Sequence, residues 1–484
     1  MPQLEESGTE GSVTTDLARA DAYQLGRLYR KRKASPVETV QAILDRIDKI
    51  NPAINAISYL DADAALKAAR ASERRWKRQE ALSPLDGVPV TIKELVRVRG
   101  WPTLMGSRMV DRAGPWSIDA PAVARLREGG AVLLAQTTSP EYGHKGVTES
   151  PLHGITRSPW NLAKTPGGSS GGAAAAVAAG FGPLAIGTDG GGSVRIPSAF
   201  CGLVGLKATF GRVPAWPASL TNMLSNTGPI ARTARDAAMM MDLIARYDPA
   251  DDMALADDGV DYVGARKGSL KGLRGVWISK FGEHSLDPEI ETAARMAAKT
   301  LEQLGIELEE REVPATEAPP TGLVWWTLWI GSLQRLLSQF PAERHTLMDS
   351  TLARMAEDGA KVTLDQYVAA LADVRKIGHA WNLLLSEFDL VLTPMMAVQP
   401  FDVGRTAPEN ADGTANVMWS PYSATFNITR HPAISVPTGL SSQGLPLAMQ
   451  MISGHGRDAL LLRVAHKLLR TRPFEIPNLP LKYS

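Results

Sequence analysis

Residues 165–201 read TPGGSSGGAAAAVAAGFGPLAIGTDGGGSVRIPSAFC, and the fold follows from how this stretch is parsed. Two serine-bearing glycine clusters, Gly167-Gly168-Ser169-Ser170-Gly171-Gly172 and Gly190-Gly191-Gly192-Ser193, flank an Ala-rich segment and a short apolar run. Residues 173–179 are six alanines and one valine, a strong helix composition with side chains small enough for close packing. Pro183 to Ile186, bounded by glycines, reads as a short buried strand. The stretch is therefore a loop-helix-strand-loop unit that can return the second serine towards the first. Three consecutive glycines before Ser193 suit a nest of backbone amides that stabilises negative charge on a substrate oxygen while a hydroxyl attacks the neighbouring carbon. Either cluster alone reads equally well as a Gly/Ser surface turn.

Upstream, Gly87-Val88-Pro89-Val90-Thr91-Ile92-Lys93 ends a strand candidate on a lysine. On residue statistics an isolated strand lysine is a snorkelling surface group. Together with the two clusters, and with TDGGGSVRIPSAFCG around the second, it resembles the amidase signature family. That family includes fatty acid amide hydrolases, aryl acylamidases, carbamate-cleaving amidases and the amidase subunit of tRNA-dependent amidotransferases. Gly228 to Thr233 and Thr425-Phe426-Asn427-Ile428-Thr429-Arg430-His431-Pro432-Ala433-Ile434-Ser435-Val436-Pro437 extend the likeness over nearly the whole chain.

The resemblance implies an α/β fold, one large mixed, twisted β-sheet covered by helices on both faces. It also implies hydrolysis of a linear amide C–N bond through a serine acyl-enzyme, with esters and aryl carbamates as further candidate substrates. Ser193 matches the nucleophile, Ser169 the bridging serine after a cis Gly168–Ser169 bond, and Lys93 the base. The amides of Gly190, Gly191, Gly192 and Ser193 match the oxyanion hole, Ser170 a serine near the lysine, and Asp189 with Arg195 a pair bracing the glycine loop. Tyr142, His144, Trp325 and Trp329 are candidates for the substrate pocket, against the default of a hydrogen-bonding histidine and core tryptophans. The chemistry is coherent: a serine hydroxyl needs a base to attack an amide, and burial keeps a lysine neutral enough to be one. Three positions depart from the family: Glu94 stands where Asp is usual, Ala208 where proline is usual, and Arg430 where glycine is usual.

Gly167-Gly168-Ser169-Ser170-Gly171 also satisfies the G-x-S-x-G elbow of α/β-hydrolases, but that elbow needs a strand directly before its serine. SPWNLAKTP, with two prolines, is no strand. A phosphate loop fails because no Gly-Lys-Ser/Thr follows. The alternative function is ammonia release from glutamine, as the amidase component of a tRNA-dependent amidotransferase serving a partner.

Lys plus Arg number 52 and Asp plus Glu 51, so a net charge of +1 gives no electrostatic case for nucleic acid or an acidic membrane. The single cysteine, Cys201, excludes a disulfide framework and a Cys-rich metal site, and neither cofactor nor metal is expected. No secretory signal or long apolar run is visible, so the expected protein is cytoplasmic, without membrane insertion, acting on a small-molecule amide. A homodimer stays open. The expected organisation is one amidase domain over 1–484: a helical cover at 1–80 behind a loose tail, the signature core at 87–233, and a motif-free, largely helical pocket region at 282–386. Ser35-Pro36-Val37-Glu38 is a capping box opening a helix that Asn51-Pro52 should end.

Overall fold

The computed structural model describes residues 16–410 and 412–476; the predicted N-terminal tail lies outside them. Among the described residues thirteen strands are interspersed with helices. They are β1 (Ile57–Leu60), β2 (Pro89–Lys93), β3 (Val132–Thr137), β4 (Glu149–Ser150), β5 (Gly154–Ile155), β6 (Leu184–Asp189) and β7 (Val204–Lys207). The series continues with β8 (Asn226–Ala231), β9 (Arg274–Trp277), β10 (Glu307–Glu310), β11 (Leu390–Pro394), β12 (Ala433–Leu440) and β13 (Pro446–Ser453). Eleven of them form one sheet in the order β1-β3-β2-β6-β8-β7-β12-β13-β11-β9-β10, and β4 pairs with β5. The sheet is mixed: β2 runs parallel to β3 and β6, and β9 to β10 and β11, while the other neighbours are antiparallel.

Side-chain alternation shows that both faces are covered, since successive strand residues point to opposite sides. On β2, Val90 and Ile92 enter one large core, shared with the helices Ala22–Arg30, Ala234–Ile244 and Asp458–Thr471. Leu390 and Leu392 of β11 and Ile434 and Val436 of β12 join that core. Their neighbours Val391 and Ala433 enter another, built on the helices Thr321–Leu333, Ser350–Gly359 and Leu364–Glu387. Thr91 and Lys93 therefore face away from the first core, which puts the lysine on the face that carries the serine loops.

The Ser35 capping box forms, with Ser35 accepting from Glu38 N, and the helix it opens buries Val40, Ile43, Ile47, Ile50 and Ile54. Each such side chain contributes about 1.5–3 kcal/mol on leaving water. The predicted stop at Asn51-Pro52 is corrected: the helix runs Pro36–Ile54 with Pro52 inside its last turn. Asn51 turns the chain afterwards, its side-chain oxygen accepting from Ala56 N and Ile57 N at 2.8 and 3.1 Å. Six strands escape sequence reading: β1, β4, β5, β7, β8 and β10. β1 is four residues long at the sheet edge, and β10, ELEE, is an acidic edge strand within the region expected to be helical. Charge on an edge blocks further pairing and hides the strand's pattern.

Candidate active site

The Ala-rich segment forms the helix Gly171–Ala179, every residue of it buried, and β6 returns the chain to the glycine loop at Asp189. Parallel pairing of β2 with β6 brings Lys93, at the end of β2, beside this unit. The Lys93 amine donates to Ser169 Oγ at 2.7 Å and to Thr188 Oγ1 at 2.8 Å. Lys93 is wholly buried, and that burial lowers its pKa to about 7, although Asp189 and Glu94 pull the other way. The Gly168–Ser169 peptide is cis. Ser170 N–H donates to Ser193 O at 3.1 Å, tying the two serine clusters together. Ser170 Oγ donates to Thr188 O at 3.1 Å and accepts from Thr188 N, so it holds the threonine that in turn holds the lysine.

The glycine loop is framed by a buried ion pair. Arg195 Nε and Nη2 each meet the Asp189 carboxylate at 2.9 Å, and both side chains are fully buried. Burial would raise the Asp189 pKa, but Arg195 overrides it and holds the carboxyl well below the usual range. The carboxylate also accepts from Gly192 N at 2.7 Å and Val194 N at 3.1 Å. This corrects the expected oxyanion set, because the Gly192 amide is already engaged. Among the described residues, the amides of Gly190, Gly191 and Ser193 donate to no protein acceptor. Gly192 sits at φ 119°, a conformation that L side chains rarely adopt.

The candidate pocket residues separate. Trp325 and Trp329 stack at 5.0 Å and lie on the loop: ideal Cβ atoms at Gly191 and Gly190 would sit 2.5 Å from Trp325 and 2.8 Å from Trp329. Tyr142, at φ 51°, precedes Gly143, whose Cβ position is 3.1 Å from Ser169 Oγ. His144 departs from the expected set: it is buried, with Nδ1 at 2.8 Å from Glu141 O and Nε2 at 2.7 Å from Thr351 Oγ1. The Nε2 contact fastens the helix Ser350–Gly359 to this loop, while the Nδ1 contact stays within the loop. Glu94, the departure from Asp, is buried and accepts from Ser139 N at 3.0 Å, with His153 Nε2 2.7 Å from its other oxygen. Arg430, where the resemblance leads one to expect glycine, has φ 64°, a conformation that glycine adopts freely; its guanidinium lies 5.2 Å from the Phe210 ring centre.

Four residues had no role from sequence reading. Thr188 is the second partner of Lys93; Ser423 Oγ donates to Gly191 O at 2.6 Å; Asn427 and Gln450 accept from Arg195, each at 2.7 Å. A lone glutamine in the buried apolar strand PLAMQMIS was a usable signal, since a buried amide needs partners.

A buried amine on a hydroxyl beside a loop of free amides is chemistry suited to amide cleavage, and comparison with known proteins gives the family. The sequence model of the Amidase family matches residues 38–462, and the chain belongs to that family. It is 36% identical over 448 residues to an acylamidase of Rhodococcus erythropolis, covering 91% of this chain and 93% of the relative. It is 34% identical to one subunit of the glutamyl-tRNA(Gln) amidotransferase of Acidothermus cellulolyticus, covering 94% of each. Among solved structures, a bacterial aryl acylamidase of the amidase signature family superposes with a TM-score of 0.86 at 28% identity, covering 94% of this chain and 96% of that one. The protein is thus an amide-hydrolysing member of the amidase signature family. Among the described residues, no helix is long and apolar enough to cross a membrane.

Proposed function

We propose that the protein cleaves a linear amide through a Ser193 acyl-enzyme served by Ser169 and Lys93. The observation that carries this reading is the 2.7 Å bond from a fully buried Lys93 to Ser169 Oγ. Neutral Lys93 accepts the Ser169 proton as Ser169 accepts that of Ser193, and Ser193 Oγ bonds to the carbonyl carbon. The carbonyl electron pair moves onto oxygen, where the amides of Gly190, Gly191 and Ser193 receive it. As the C–N bond breaks, the proton returns through Ser169 to the departing nitrogen. Water, deprotonated by the same pair, then releases the acid.

An aryl group is the favoured substituent, because the Trp325–Trp329 stack and the Tyr142–Phe340 pair offer ring faces beside the serine loops. The likeness to an aryl acylamidase supports this, and aryl carbamates present the same ring and carbonyl. Treatment with a fluorophosphonate and peptide mass mapping tests the reading: Ser193 is labelled, and Ser193→Ala takes no label. Label that persists on the variant overturns it. A second reading, ammonia release from glutamine for a partner protein, is favoured by the 34% identity to the amidotransferase relative. Glutaminase activity that appears only with a partner chain bound would establish it; hydrolysis of aryl anilides by the chain alone supports the first reading.

A further inference from the structure

We propose that Trp325 is a positioning residue for the oxyanion site, its indole N–H aiming the Gly191 amide at the substrate oxygen. The inference rests on the acyl-enzyme reading above. Trp325 Nε1 donates to Gly190 O at 2.9 Å. In a trans peptide the C=O of one residue and the N–H of the next point in opposite directions. Pinning Gly190 O to the indole therefore turns the Gly191 N–H away from it.

The next peptide shows the same device with its other end occupied. Ser423 Oγ donates to Gly191 O at 2.6 Å, and on the opposite side the Gly192 N–H reaches the Asp189 carboxylate at 2.7 Å. Both ends of the Gly191–Gly192 peptide are satisfied within the protein. In the Gly190–Gly191 peptide only the carbonyl end is, and among the described residues the Gly191 amide has no acceptor. Gly191 is part-exposed, so that amide is free to meet a ligand. An ideal Cβ at Gly191 would lie 2.5 Å from the Trp325 ring, so the ring bears directly on the residue it orients.

Trp329 supplies an internal control. It stacks on Trp325 and packs beneath Gly190, but its own Nε1, buried, has no partner among the described residues. Orientation of the Gly190–Gly191 peptide thus rests on one side-chain N–H, from the helix Thr321–Leu333 that no family motif announces.

The test compares Trp325→Phe with Trp329→Phe on two anilides sharing a leaving group, 4-nitroacetanilide and N-(4-nitrophenyl)benzamide. Removing an oxyanion donor outright costs about 10²–10³ in rate, so misaiming one should lower kcat by about 10- to 100-fold. Trp325→Phe is expected to lose that much on both substrates with KM moved less than about twofold, while Trp329→Phe, which alters the ring wall without removing a bonded N–H, should show its change chiefly in KM. For Trp325→Phe a loss confined to the benzamide or a change carried by KM, or equal kcat losses in the two variants, would overturn the proposal, because each marks the indole as wall or filler. Benzothienylalanine at 325, which keeps the bicyclic shape without the N–H, gives the same reading should the phenylalanine variant fold poorly. Fluorophosphonate labelling of Ser193 in the wild type is scored separately, so failure of the acyl-enzyme reading is distinguishable from failure of this one.

Discussion

Lys93 and Lys207 are both fully buried, and burial lowers each to a pKa of about 7. Their surroundings differ in one respect that decides what each can do. Lys93 Nζ rests on two hydroxyls, Ser169 and Thr188, whereas Lys207 Nζ donates to the carbonyl of Ala208 at 3.0 Å. A hydroxyl both gives and receives a proton; a carbonyl only accepts a hydrogen bond. A depressed lysine is therefore a common product of burial, and its chemistry comes from the group it touches.

The largest effects test the hydroxyl chain itself. Ser193→Ala should reduce kcat by about 10⁴-fold or more, measured with a chromogenic anilide, and Lys93→Ala by about 10²–10⁴. Equal losses from Lys93→Met and Lys207→Met would undo the contrast, since only one of the two lysines has a hydroxyl to serve.

The pH profile separates the two lysines further. Lys93 acts as a base only when neutral, and its folded pKa is about 7, so kcat/KM should rise through that pH and fall about tenfold per unit below it. A profile flat from pH 5 to 8 would remove Lys93 as the titrating group. Thr188→Val should have a smaller effect, about tenfold or less. It deletes one acceptor of the ammonium, which disfavours the charged form, so the acid limb should move to lower pH. Movement to higher pH would mean that the threonine does not stabilise the ammonium.

The two halves of the site differ in legibility for the same reason. Ser169 and Ser193 stand in glycine clusters whose composition is costly for ordinary loops, which marks the two clusters. Lys93, which residue statistics place on the surface, and the Asp189–Arg195 pair are legible only through the family resemblance. The bracing groups leave no such trace: Trp325 meets Gly190 across 135 positions of sequence, and Ser423 meets Gly191 across 232. Each reads locally as a plain helix or loop residue, and only the folded sheet brings it to the glycines. His144 shows the opposite case: a loop histidine near the serines invites a pocket role, yet Nδ1 is held by Glu141 O of its own loop and Nε2 meets Thr351 of the helix Ser350–Gly359. Apolar runs such as β6, β11 and β13 are legible as strands, while the edges are not: β1 is only four residues long and β10 is acidic.

The smallest catalytic effect belongs to Lys207, where its contrast with Lys93 becomes a statement about stability instead. Its folded pKa of about 7 lies below the ordinary lysine value of 10.5, so between those pH values the unfolded chain binds more protons than the native one. Stability must then rise with pH across that window, and below about 7 the native state carries the full cost of a buried ammonium. Lys93 imposes the same slope. Lys207→Met, which fills the volume without the charge, should flatten the increase of the thermal midpoint between pH 7 and 10 and leave kcat within about threefold. Asp458, buried nearby and bound to Thr209 N and Oγ1 at 2.7 Å, favours the ammonium form of Lys207. Asp458→Asn should lower the Lys207 pKa further and so extend the sloping window downward, without shifting the acid limb of kcat/KM. If that limb moved with Asp458, the two lysines would titrate as one system, and the hydroxyl contact would no longer suffice to tell the catalytic amine from the structural one.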